Sequence, residues 1–255
     1  MSRLLKALPL ALALAALNIF TASCGSSTPA QVRFVNAIQD TAQYGTGLDF
    51  EFNGTKDFTD VEFQGVQPAS GYTKVPSGFN SVEGLETGTT TEVFRSDVSL
   101  NGGAQYTLVA TGFATNSVEV VIIPAADKNA VPANGNVEFR VINASPSGPN
   151  GIPGAVDVYI FPIGSNSPIA PPATIPNLAY RSTSSYITFP YNPNFEQGFN
   201  YTMFVTATGT TTPILITQTL SAGNSSEGAI RTLVLTDEKN VDQLNPLAIV
   251  LNDVN

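Results

Sequence analysis

The chain has 255 residues, 20 acidic against 11 basic, and a formal charge of −9. It holds no histidine, no tryptophan and a single cysteine, which excludes imidazole-assisted nucleophilic catalysis, metal sites built on Cys and His, and a disulfide framework. The acidic balance lacks the basic footprint that nucleic acid demands, so no nucleic-acid partner is expected.

The first predicted element is an address. Arg3 and Lys6 precede a short apolar run, Leu8–Phe20, too short for the roughly 20 residues that cross a bilayer. Residues 1–23 are therefore expected to be a secretory signal peptide and not part of the fold. Thr21-Ala22-Ser23-Cys24 resembles the lipobox of bacterial lipoproteins, departing from it at Thr21, where Leu is usual. That resemblance implies cleavage before Cys24 and acylation of its thiol. Several acyl chains on one residue anchor firmly, at about 0.8 kcal/mol per buried CH₂. Residues 24–31 then read as a flexible tether.

Strands follow. Leu48, Phe50 and Phe52 alternate with Asp49 and Glu51 before Asn53-Gly54, the period of two of a half-buried strand closed by a turn. Val118–Ile123 reads as a closing strand buried on both faces. Pro132, Asn134 and Gly135 mark a boundary within Asp127–Asn136. Beyond it Val137, Phe139 and Val141 alternate with Glu138 and Arg140, and Tyr201, Met203 and Val205 with Thr202 and Phe204. Leu247–Leu251 closes the chain as Val118–Ile123 closes the first half.

The second half repeats the first. Arg33-Phe34-Val35-Asn36-Ala37 returns as Arg140-Val141-Ile142-Asn143-Ala144, Leu48–Phe52 as Val156–Ile160, and Thr107-Leu108-Val109 as Thr232-Leu233-Val234. Ser70-Gly71-Tyr72 returns as Ser184-Ser185-Tyr186, and Thr87-Gly88-Thr89 as Thr208-Gly209-Thr210. Many short strands, turn signals between them and no amphipathic helical run give an all-β class: two tandem immunoglobulin-like antiparallel β-sandwiches, over residues 32–128 and 129–255. The second carries longer loops, around Ser165–Asn177 and Tyr191–Gln197. These are the expected contact surfaces, because loops at the ends of a sandwich carry binding sites.

The Arg-Phe-Val-Asn-Ala motif, the Val156-Asp157-Val158-Tyr159 strand, Asn143-Ala144-Ser145-Pro146 and Tyr106–Gly112 resemble the DUF4397 family. The resemblance implies extracytoplasmic bacterial β-sandwich modules, often paired and often on lipoproteins. It implies no catalytic role.

Candidate chemistry is thin. Asp57, Asp60 and Glu62, and Asp237, Glu238 and Asp242, are acidic clusters without a calcium-loop pattern. Asp49, Glu51 and Asp157 share outward strand positions, but their recurrence in both halves favours hydrogen bonds to a neighbouring loop over glycoside hydrolysis. Tyr72 and Tyr186 are expected to be half-buried, their hydroxyls bonded to backbone as in sandwich corners. No catalytic residue, no metal and no cofactor is expected, and the lipidation site Cys24 is the one site assigned. The expected function is a non-catalytic envelope lipoprotein, exported and held at the membrane by its lipid, that displays two modules to an envelope protein. The alternative is a carbohydrate- or peptidoglycan-binding module.

Overall fold

The computed structural model describes residues 28–39, 47–114, 117–125, 132, 135–146, 154–162, 169, 171–190, 200–221, 228–237 and 247–254. Among these there is no α-helix. The first half supplies β1 (Ala30–Ile38), β2 (Leu48–Phe52), β3 (Thr55–Val61), β4 (Val66–Gln67), β5 (Thr73–Val75), β6 (Gly78–Glu86), β7 (Glu92–Leu100), β8 (Gln105–Phe113) and β9 (Ser117–Pro124). The second supplies β10 (Asn136–Asn143), β11 (Val156–Pro162), β12 (Ile175–Leu178), β13 (Ile187–Pro190), β14 (Asn200–Ala207), β15 (Ile214–Ser221), β16 (Ile230–Thr236) and β17 (Leu247–Val254).

The strands make four sheets, ordered β3-β2-β6-β7, β4-β1-β8-β9 with β5 also on β1, β13-β10-β16-β17, and β12-β11-β14-β15. Among the described residues no sheet mixes strands from the two halves, and the strand order of the first pair of sheets is repeated in the second pair. The all-β sandwich is thus the fold found. Two of its sheets are antiparallel throughout, as expected, but the other two are mixed: β1 runs parallel to β8 and β10 parallel to β16. The chain leaves the first strand for the facing sheet and returns on the far side, so no hairpin joins these neighbours.

Period-two patterning sets the cores. Phe34, Phe50, Phe52, Phe58, Val82, Phe94, Val98 and Leu108 fill the first sandwich, where Phe34 stacks on Phe50 at 4.0 Å between ring centres. Phe139, Val158, Tyr201, Met203, Val205 and Leu233 fill the second, with Tyr201 between Phe139 and Phe189 at 6.0 and 4.9 Å. Asn53 and Gly54 both have positive φ, 51° and 77°, the geometry of a two-residue hairpin turn between β2 and β3.

A third apolar layer lies between the halves. Val35, Ala37, Val109 and Ile123 pack against Ile142, Ala144, Val234 and Leu251. Each half contributes the same four positions, so the contact has the self-complementary character of a two-fold interface within one chain. The molecule is therefore a stack of four sheets, and β1, β8, β10 and β16 are buried on both faces. The closing strands β9 and β17 differ from expectation. They are sheet edges, and Ile122 and Val250 remain more than a third exposed.

Candidate functional site

Asp49 and Asp157 do not face solvent. They are 2% and 7% exposed, each under the loop that follows the neighbouring strand. Asp49 Oδ1 accepts from Asp60 N at 2.9 Å, and Oδ2 accepts from Gly88 N at 3.2 Å and Lys56 Nζ at 2.6 Å. Asp157 repeats this with Asn177 N at 2.7 Å and Gly209 N at 2.8 Å. Burial raises the Asp49 pKa, but the Lys56 ammonium and the two backbone N–H groups outweigh it and hold it below its ordinary value. Each carboxylate closes a loop, which is the role its recurrence suggests. Lys56 is held in its charged form by Asp49, unsuited to act as a base.

Tyr72 and Tyr186 are half-buried as expected, but their partners differ from expectation. Neither is a backbone corner tyrosine. Each ring lies against the arginine of its own half, Arg33 at 5.5 Å and Arg140 at 4.6 Å from the ring centre, and Tyr186 donates to Asp253 Oδ2 at 3.1 Å. Burial, with the nearby Asp253 charge, pushes the Tyr186 hydroxyl up. Arg33 and Arg140 are 5% and 6% exposed, and both reach across the layer between halves. Arg33 donates to Asn252 O at 2.8 Å and Arg140 to Pro124 O at 2.9 Å, equivalent ends of β17 and β9. Asp253 then binds Arg33 at 2.6 Å, lies 3.8 Å from Arg140, and accepts from Thr232. These charges weld the halves together. The signal in the sequence is an arginine with apolar residues on either side in a strand, Val32 and Phe34 around Arg33 and Phe139 and Val141 around Arg140: a charge buried there needs a partner.

The acidic clusters do not converge. Asp60 Oδ1 accepts from Gly47 N, Asp237 accepts from Ser145, and Glu238 and Asp242 lie outside the described residues. Among the described residues no three metal-ligating side chains come together. Cys24, residues 25–27 of the tether and the loop Tyr191–Gln197 also lie outside them, as does Ser165–Asn177 up to Pro168 and at Ala170, whereas Ala30 and Gln31, expected at the end of the tether, instead begin β1 because they pair with β5.

The described part of that last loop forms one wall of a groove of about 320 Å³. The wall is Thr174–Ala179, leading through the edge strand β12. The facing wall is Ser182, Ser184, Ser185 and Ile187, entering the edge strand β13. The groove therefore runs along the side of the second sandwich, between the edges of its two sheets. Its lining combines apolar Ile175, Leu178 and Ile187 with hydroxyl and amide groups of Thr174, Asn177 and the serines, and among the described residues contains no charged and no aromatic side chain. It can hold an uncharged group by hydrogen bonds over an apolar floor.

No curated protein matches the chain. Among solved structures, the Bacillus anthracis TIE protein is similar at 12% identity and a TM-score of 0.25. That match covers 82% of this chain and 34% of the other, so the chain spans about a third of the length of that protein. Residues 30–159 match the family described as a domain of unknown function, DUF4397. The match takes in the whole of the first sandwich and continues through β10 into β11. On that match, over half its length, this chain belongs to the DUF4397 family.

Proposed function

We propose that this chain is a non-catalytic envelope lipoprotein, anchored through an acylated Cys24, whose two halves are both copies of the family domain and serve as one rigid display unit for a protein partner. The observation that carries the reading is the use of the charged groups. Asp49, Asp157, Arg33, Arg140 and Asp253 are spent on closing loops and joining the halves, while the open groove of the second half offers only neutral hydrogen-bonding and apolar groups. A neutral groove between sheet edges suits an extended polypeptide. It suits a polysaccharide less well, since sugar faces are met by flat aromatic rings and none of the described residues lining the groove is aromatic.

Two measurements test the proposal. Mass spectrometry of the mature protein should find an acylated Cys24 as residue one, with Cys24→Ser releasing the protein from the membrane fraction. An unmodified amino terminus would overturn the anchor. Pull-down from intact envelope with the lipidated protein should recover a discrete protein, whereas selective retention of a polysaccharide would replace the protein partner with a glycan.

A further inference from the structure

The backbone hydrogen bonds align the two halves residue by residue. Gln64 N donates to Asn36 O and Asn36 N to Gly65 O; Arg181 N donates to Asn143 O and Asn143 N to Ser182 O. Gln64 and Arg181 share a φ of 65°. Carried forward, Gln67 faces Phe34 in β1, and Ser184 faces Val141 in β10. On the other sheet Asp60 and Asn177, both with φ 50°, donate to the matched aspartates Asp49 and Asp157. Thr59 therefore corresponds to Pro176, and Gln67, not the Ser70 matched by motif order, corresponds to Ser184.

In the first half these two positions touch. The Gln67 carboxamide spans the two sheet edges: Nε2 donates to Thr59 O at 2.7 Å and Oε1 accepts from Thr59 N at 3.3 Å. One side chain supplies the paired donor and acceptor of a strand residue and closes that side of the sandwich. In the second half both ends of the bridge are changed. Ser184 is too short to cross, and its hydroxyl is engaged on its own side, accepting from Val141 N at 2.9 Å and donating to Ser185 O at 2.8 Å. Pro176 has no N–H to donate. The groove lies between these two residues, both of which line it.

We propose that the groove receives a neutral carboxamide in trans, the glutamine side chain of an extended peptide on the partner protein. This names the chemistry of the partner and rests on the display reading above. The incoming amide NH₂ donates to the Pro176 carbonyl, as Gln67 does to that of Thr59. Its oxygen accepts from the hydroxyl of Ser182 or Ser185, which replace the N–H missing at Pro176. Its methylenes lie on Ile175, Leu178 and Ile187. Glutamate is rejected, because a carboxylate has no hydrogen to give the carbonyl and none of the described residues lining the groove is a cation that would offset its desolvation.

The test uses the full mature chain, ¹⁵N-labelled, titrated with acetyl-Ala-Gln-Ala-amide, its Glu and Leu counterparts, and N-acetylglucosamine. The glutamine peptide should move amide resonances of residues 174–187 with a dissociation constant on the order of 1 mM, as suits a ligand of its size. The Glu and Leu peptides should bind at least about tenfold more weakly, the equivalent of one lost hydrogen bond. Ser184→Gln, which restores in cis the donation to the Pro176 carbonyl, should abolish binding, and the milder pair Ser182→Ala and Ser185→Ala should weaken it. Absence of shifts with the glutamine peptide, equal shifts with either counterpart, a preference for N-acetylglucosamine, or undiminished binding in both variants would overturn the proposal. Envelope capture that survives Ser184→Gln would sink this site while leaving the display reading standing.

Discussion

Asp49 and Asp57 are eight residues apart on adjacent strands, and their surroundings pull in opposite directions. Asp49 is stabilised as a carboxylate by Lys56 and two backbone N–H groups. The Asp57 pKa is raised by burial, and its Oδ2 has no hydrogen-bond partner. The two therefore respond oppositely to pH. A lowered folded pKa contributes stability above the unfolded value, near 3.9, and loses it as pH falls through the folded value. A raised one contributes stability only below about 3.9 and loses it as pH rises through the folded value. Asp49→Asn should cost about 2 kcal/mol at pH 7, a deficit that shrinks below about pH 4. Asp57→Asn should gain about 1 kcal/mol at pH 7 and nothing at pH 3. Urea unfolding at a series of pH values checks both signs. Of these residues, the sequence made the loop-closing role of Asp49 legible through its recurrence at Asp157. It said nothing of Asp57, whose isolation depends on what happens to lie beside it.

At the scale of the element, the alternating pattern assigned β2, β10 and β14 their inward faces, because side chains two apart on a strand must share a face. The pattern is weaker where both faces are buried, as in β1, where Val32 and Phe34 enter one core while Val35 and Ala37 enter another. Such a run is as apolar as the central strand of a covered sheet, and that continuity was the available sign of a second partner layer. Gly84 shows another element-scale constraint. It sits mid-strand in β6, and a Cβ there would collide with the Phe94 ring on β7. The ring lies over the glycine, so Gly84→Val should displace Phe94 from its packing with Phe50, 6.0 Å away. The expected loss is about 2 kcal/mol, read as a lower urea midpoint, with β-sheet circular dichroism retained. The groove is likewise a property of paired elements, since it exists only because β12 and β13 are edges of different sheets.

For the molecule as a whole, the layer between halves decides the behaviour. Eight apolar side chains from matched positions meet there, each fully buried Val, Leu or Ile contributing about 1.5–3 kcal/mol. Arg33 and Asp253, 220 residues apart, close it with a buried ion pair. Asp253→Ala would leave Arg33 and Arg140 buried without their shared anion, and removal of one member of such a set costs about 3–5 kcal/mol. The native chain should unfold in one cooperative transition. Asp253→Ala should split it into two by differential scanning calorimetry, the halves parting before either sandwich melts. A single unshifted transition in the variant would mean that the apolar layer alone joins them.

From the sequence by itself followed the all-β class, the position of strands such as β2, β10 and β14, the internal repetition and the loop-closing aspartates. All of these are written in local periodicity and in the order of short motifs, which each strand expresses whatever surrounds it. Tertiary structure alone decided that the outer faces of β1, β8 and β9 cover those of β10, β16 and β17. It also decided that Tyr72 and Tyr186 serve arginines rather than backbone corners, and that the side of the second sandwich stands open where Gln67 closes the first. Those features depend on which surfaces meet in space, and the period of a strand specifies that a face is buried without specifying what buries it.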